Sequence, residues 1–97
     1  MRKDKVTNVT INRWVEKRLD RIPSYIKAKL LAWAKMVFSK GLEKARRHPS
    51  YHDEPLQGAR QGQHSIRLNR SWRAFYVVLE NETSINIEII EVNHHEY

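Results

Sequence analysis

The spacing of apolar residues changes partway along this chain, and the change dictates which elements it can form. Between residues 13 and 40 apolar side chains recur at helical intervals. Val15, Leu19 and Ile22 fall at i, i+4 and i+7, and Ile26, Leu30, Trp33 and Val37 at i, i+4, i+7 and i+11. After residue 64 the period is two. Ile66 and Leu68 alternate with Ser65, Arg67 and Asn69, and Ala74, Tyr76 and Val78 alternate with Phe75, Val77 and Leu79. A helical first part and a stranded last part predict an α+β domain.

The boundaries follow from local chemistry. The β-branched run in Lys5–Ile11 predicts an N-terminal strand. Asn12 is the expected N-cap of a helix over about 13–22, which Pro23 ends. Ser24 is the expected cap of a second helix over about 25–40, with Gly41 as its C′ residue. Leu31, Ala34 and Phe38 widen the apolar stripe of that helix. Leu42–Arg47 adds a short helical turn before Pro49. Two helices joined this closely form an antiparallel αα-hairpin.

From His48 to Gln63 no period is visible, and Pro49, Pro55, Gly58 and Gly62 mark a loop. A loop of that length inside a compact domain calls for a functional reason. Three strands are expected after it, over about 64–69, 73–80 and 84–93, as an antiparallel meander carrying the helices on one face. The middle strand, apolar on both sides, is expected to be central. Ile85, Ile87 and Ile89 share one parity, whereas Ile90 and Val92 take the other, which predicts a β-bulge near Ile89–Ile90. All 97 residues fit a single domain.

Composition narrows the function. There is no cysteine, which excludes disulfides, thiol catalysis and zinc fingers and fits a cytoplasmic protein. No apolar run approaches the roughly 20 residues of a membrane span, and no hydrophobic signal core follows the N-terminus. The net charge of +7 points to a polyanionic partner. It is unevenly held: residues 1–48 have 14 Lys and Arg against 4 Asp and Glu, and residues 49–97 have 4 against 7. Arg13, Lys17, Arg21, Lys27, Lys35, Arg46 and Arg47 are candidate contacts to RNA phosphates, and Arg60 is a further one in the second half.

Three groups in the second half could carry chemistry. Glu54, in Asp53-Glu54-Pro55-Leu56, is a candidate general base. Arg67 and Arg73 flank the turn between two strands. If residues 69–71 form a three-residue loop, the two arginines stand opposite each other on one face, an arrangement that favours an anion between them. A register one residue different separates them. Third is the tail Asn93-His94-His95-Glu96-Tyr97, which offers an imidazole and a phenol. No other ligand cluster supports a metal reading of the histidines. A carboxylate, arginines, a histidine and a tyrosine together suit RNA transesterification, in which the 2′-OH of RNA is the nucleophile and no metal or other cofactor is needed.

Glu54-Pro55-Leu56, Gly62, Ser65-Ile66-Arg67, Trp72-Arg73, Tyr76 and His95-x-Tyr97 resemble the RelE/ParE toxin superfamily, and within it the RelE, YoeB and HigB-like mRNA interferases. The resemblance covers nearly the whole chain. It implies the toxin of a type II toxin–antitoxin system, cleaving mRNA in the ribosomal A site and inhibiting translation. The implied partners are the ribosome, mRNA and a cognate antitoxin, often of the helix-turn-helix type, with Trp14 a candidate protein contact. Glu54 matches the acidic catalytic residue of YoeB-like members, Arg67 and Arg73 their strand arginines, and Tyr97 the terminal tyrosine. Either His94 or His95 occupies the histidine position, and Glu54 or His95 is the base. Gln57 stands where a lysine often follows Pro-Leu, and Trp72 where a histidine precedes the second arginine. The alternative on the same fold is a ParE-like toxin that binds and inhibits DNA gyrase without catalysis.

Overall fold

A computed structural model of the chain describes residues 5–94. Its elements, in order, are β1 (Val6–Ile11), α1 (Arg13–Lys17), α2 (Ser24–Lys40), α3 (Leu42–Arg47), β2 (Glu54–Pro55), β3 (Gln63–Arg67), β4 (Trp72–Glu80) and β5 (Ser84–His94). They form one five-stranded sheet in the order β1-β5-β4-β3-β2. The meander β3-β4-β5 is antiparallel as expected, and β4 is central. β1 pairs with β5 in parallel, from Val6↔Ser84 to Ile11↔Ile89, which makes the sheet mixed. A parallel partner needs a crossover, and the helices supply it. Among the described residues no helix is long and apolar enough to cross a membrane.

The helical stripe read from the sequence is the core. Ile26, Leu30, Trp33 and Val37 of α2 are buried with Ile66, Ala74, Tyr76, Ile87 and Ile89 of the sheet. Trp33 and Tyr76 stand at the centre, their rings 5.1 Å apart and tilted by 42°. Gly41 closes α2 at φ 91°, where a side chain would be strained, and its amide donates to the Val37 carbonyl at 2.9 Å.

Two helix boundaries differ from expectation. The first helix stops at Lys17 rather than Ile22, and Leu19–Arg21 tightens into a 3₁₀ turn. Pro23 holds Ile22 in an extended conformation (φ −95°, ψ 128°), so helical geometry cannot continue to it, and the tighter turn still buries both Val15 and Ile22. Ser24 lies inside α2 and makes no capping bond; Pro23 occupies the cap. Asn12 caps α1 as expected, its side-chain oxygen accepting from the Trp14 amide at 2.7 Å.

The expected loop from 48 to 63 contains structure. Glu54 and Pro55 pair with Ser65 and His64 as a two-residue edge strand, and Gly58–Arg60 makes a 3₁₀ turn. A strand this short leaves no alternation to detect. The expected bulge is present. Phe75 faces Glu91 and Tyr76 faces Ile89, so Ile90 is the extra residue. It turns Glu91 and Asn93 to the outer face of the sheet and keeps Val92 on the helix side.

Candidate active site on the outer sheet face

The outer face of the sheet is built by strand alternation. Ile66, Ala74 and Tyr76 point to the helices, so Ser65, Arg67, Arg73 and Phe75 point away from them. The register is the one that pairs Arg67 with Arg73. Asn69 secures it: its side-chain oxygen accepts from the amides of Ser71 and Trp72, both at 2.7 Å, and the Leu68 amide donates to the Trp72 carbonyl at 2.8 Å. The Tyr51 carbonyl accepts from the Arg67 amide at 2.7 Å, which pins the preceding loop to the end of β3.

Glu54 pairs with Ser65 and therefore shares this face. Its carboxylate lies 3.8 Å from the Arg73 guanidinium, so the candidate base and one candidate phosphate ligand are neighbours. The Arg67 side chain is exposed and makes no ion pair or hydrogen bond among the described residues. Arg60 belongs to the same face. It lies 4.1 Å over the Phe75 ring, donates to Gln63 at 2.9 Å and pairs with Glu91 at 2.5 Å. The cluster thus joins Glu54, Arg60, Arg67 and Arg73. His95 and Tyr97 lie outside the described residues. His94 is described, on the helix side, its ring 5.1 Å from that of Trp72. Among the described residues no group of three or more His, Asp and Glu could hold a metal ion.

Directly beneath, on the helix side, is a polar cluster that sequence reading did not assemble. His52, in the left-handed region at φ 45°, turns the chain into β2. Asp53 then points inward while Glu54 points out. The Asp53 side chain is 2% exposed and accepts from His64 Nδ1 at 2.7 Å and from the Tyr76 hydroxyl at 2.5 Å. Arg46 Nε donates to the Tyr76 oxygen at 3.1 Å, and Arg46 Nη2 lies 3.3 Å from His64 Nε2. Donors and acceptors match throughout if the His64 proton is on Nδ1, leaving Nε2 to accept from Arg46. His64 also stacks on Tyr76 at 5.1 Å. Arg46, expected as an RNA contact, is committed to this cluster.

The other expected RNA contacts are on the helices. Arg13, Lys17, Arg21, Lys35 and Arg47 are exposed; Lys27 is half-buried. The helical layer covers the opposite side of the sheet from Glu54, Arg67 and Arg73. These basic side chains and the candidate site therefore lie on different layers.

Burial raises the Tyr76 phenol well above its ordinary value, and the bond to Asp53 adds to this while Arg46 partly opposes it. The consequence is an alkaline dependence of stability. Above about pH 10 an unfolded tyrosine loses its proton while folded Tyr76 keeps it, so stability present below that pH falls as pH rises. Tyr76→Phe is expected to flatten this alkaline slope in urea unfolding curves. An unchanged slope would mean that Tyr76 does not control it.

No protein-family model matches the chain, and no curated relative matches it. Solved structures do. The chain is similar to a YoeB/ParE toxin from Agrobacterium tumefaciens, with 20% identity, a TM-score of 0.63, and 92% of this chain and 99% of that one covered. It is similar to a toxin–antitoxin complex from Mycobacterium tuberculosis (21% identity, TM-score 0.63, 91% and 96% covered). The RelE–RelB complex from Pyrococcus horikoshii gives 22% identity and a TM-score of 0.67, with 92% and 94% covered. These likenesses cover more than nine-tenths of the chain, and the expected α+β architecture is borne out. The chain has the fold of the RelE/ParE toxin superfamily.

Proposed function

We propose that this chain is the toxin of a type II toxin–antitoxin system, a cytoplasmic endoribonuclease that cleaves mRNA in the ribosomal A site. The single observation that carries the reading is the Arg67–Arg73 cross-strand pair beside Glu54. Like charges directly opposed on a sheet repel. A phosphodiester seated between them removes that repulsion and meets two guanidinium forks.

The reaction needs no nucleophile from the protein. The 2′-oxygen of one nucleotide attacks the adjacent phosphorus, its proton passing to Glu54 or to His95. The phosphorane that forms is stabilised by Arg67 and Arg73. The bond from phosphorus to the 5′-oxygen then breaks, and that oxygen takes a proton from the acid partner. The products are a 2′,3′-cyclic phosphate and a 5′-hydroxyl. Tyr97 is assigned to stacking or orienting the RNA. Arg13, Lys17, Lys35 and Arg47, on the opposite layer, are assigned to ribosomal RNA, where phosphate contacts give affinity without sequence preference. An antitoxin is the proposed protein partner, in line with the toxin–antitoxin complex from M. tuberculosis.

Mapping the 5′ ends of cellular mRNA after induction tests this reading. Cuts at fixed positions within codons are expected, and they should vanish when translation is blocked. Inhibition of gyrase supercoiling by the purified protein, with no new RNA ends, would replace this reading with the ParE-like one.

A further inference from the structure

Past Ile89 the last strand loses a neighbour. β1 ends at Ile11, opposite Ile89, and the Asn12 amide closes the ladder on the Ile89 carbonyl at 2.9 Å. Residues 90–94 of β5 therefore have one edge without a strand, and α1 stands beside it. Between them is a hollow of about 230 Å³ lined by Trp14, Arg18, Arg21, Trp72, Asn93 and His94 among others.

Two features of this hollow are left unused by the fold, and an aromatic pair stands beside them. Trp14 is 67% exposed and outside the core, with the Lys17 ammonium 5.7 Å from the centre of its ring. Arg18 and Arg21 make no side-chain ion pair or hydrogen bond among the described residues. Trp72 and His94, with rings 5.1 Å apart, make a second aromatic wall. An apolar peptide would cover the indoles and leave the guanidinium groups unanswered. An acidic peptide would do the reverse. A nucleotide satisfies both, with its base on an aromatic face and its phosphate on the arginines.

The strand that bounds the hollow also borders the arginine face. Asn93 and Glu91, which line the hollow, are the cross-strand partners of Arg73 and Phe75. An RNA strand with a phosphate at Arg73 therefore has only the edge of β5 to cross to reach the hollow.

We infer that this hollow is a subsite for a nucleotide flanking the scissile phosphate, with its base stacked on Trp14 and its phosphate held by Arg18 and Arg21. The inference rests on the reading of the sheet face as an RNA site. Stacking of this kind accepts any base, so the subsite supplies affinity and alignment rather than sequence choice.

The test is binding of the full chain to a labelled hexamer of 2′-O-methyl RNA, which lacks the attacking hydroxyl, read by anisotropy. Trp14→Ala is expected to weaken binding by about tenfold or more, and Trp14→Phe to retain most of the affinity. Arg18→Gln with Arg21→Gln is expected to lower the slope of log K against log salt by about 0.7, the value for one phosphate of a single strand. Affinity unchanged in Trp14→Ala overturns the subsite, as does an equal loss in Trp14→Phe. Hexaglutamate displacing the RNA from the parent but not from Trp14→Ala assigns the hollow to a protein partner and also overturns it. Because binding is read on RNA that cannot react, a chain that binds through Trp14 yet never cuts mRNA defeats the proposed reaction and leaves the subsite standing.

Discussion

Arg67→Ala and Arg73→Ala are each expected to lower mRNA cleavage by about 10²–10³-fold, the scale on which one preorganised transition-state ligand acts. Arg67→Ala is also expected to leave stability unchanged or slightly raised. Arg67 and Arg73 face each other across β3 and β4, and without an anion that pairing is repulsive. Arg67 is exposed and has no countercharge among the described residues, so no ion pair is lost with it. Removing one positive charge thus relieves strain in the free protein and removes a ligand in the loaded one. This combination separates a site residue from a structural one, because structural residues lose stability and activity together. Arg67→Lys and Arg73→Lys keep the charge and lose the planar fork, so they are expected to recover part of the activity only. Cleavage rates on programmed ribosomes and urea unfolding midpoints give both quantities. Full cleavage in either alanine variant, or a clear fall in the unfolding midpoint of Arg67→Ala, excludes the assignment.

The sequence exposes this site only in part, and the reasons are physical. Long elements with a sustained period were legible: the α2 stripe, the meander, and the parity change that marks the Ile90 bulge. The opposed arginines were legible as one of two registers, because Asn69 fixes the turn through side-chain bonds that alternation does not encode. β2 was hidden, since two residues carry no period, and with it the opposite orientations of Asp53 and Glu54. The cluster of Arg46, Asp53, His64 and Tyr76 was hidden for a second reason. Its members come from α3, the residue before β2, β3 and β4, and only the folded sheet brings them together. The parallel placement of β1 beside β5 was equally invisible, because pairing direction depends on the crossover and not on strand composition.

Asp53→Ala is expected to be the most damaging single change in that cluster, costing about 3 kcal/mol of stability or more. Its carboxylate is almost wholly buried and receives two donors, the Tyr76 hydroxyl and His64 Nδ1. Alanine leaves both without a partner in the interior, where each unsatisfied group costs roughly 1–3 kcal/mol. Asp53→Asn is nearly isosteric but has one acceptor oxygen for two donors and sets an N–H against one of them. It is expected to lose about half as much. Tyr76→Phe is expected to be milder still, since it deletes a donor and leaves Asp53 its His64 contact. Unfolding midpoints should rank the variants in that order, with equal slopes in urea. The loss also reaches the outer face. Asp53 immediately precedes the two-residue strand that Glu54 begins, and the two point to opposite sides of the sheet, so the inward anchor of one holds the outward position of the other. Hydrogen exchange at the Leu56 amide, which bonds the Gln63 carbonyl beside β2, and at the Arg67 amide, which bonds Tyr51, is therefore expected to quicken in Asp53→Asn under conditions where the core stays protected. Exchange that quickens equally in the core strands would show that Asp53 supports only global stability and has no particular hold on Glu54.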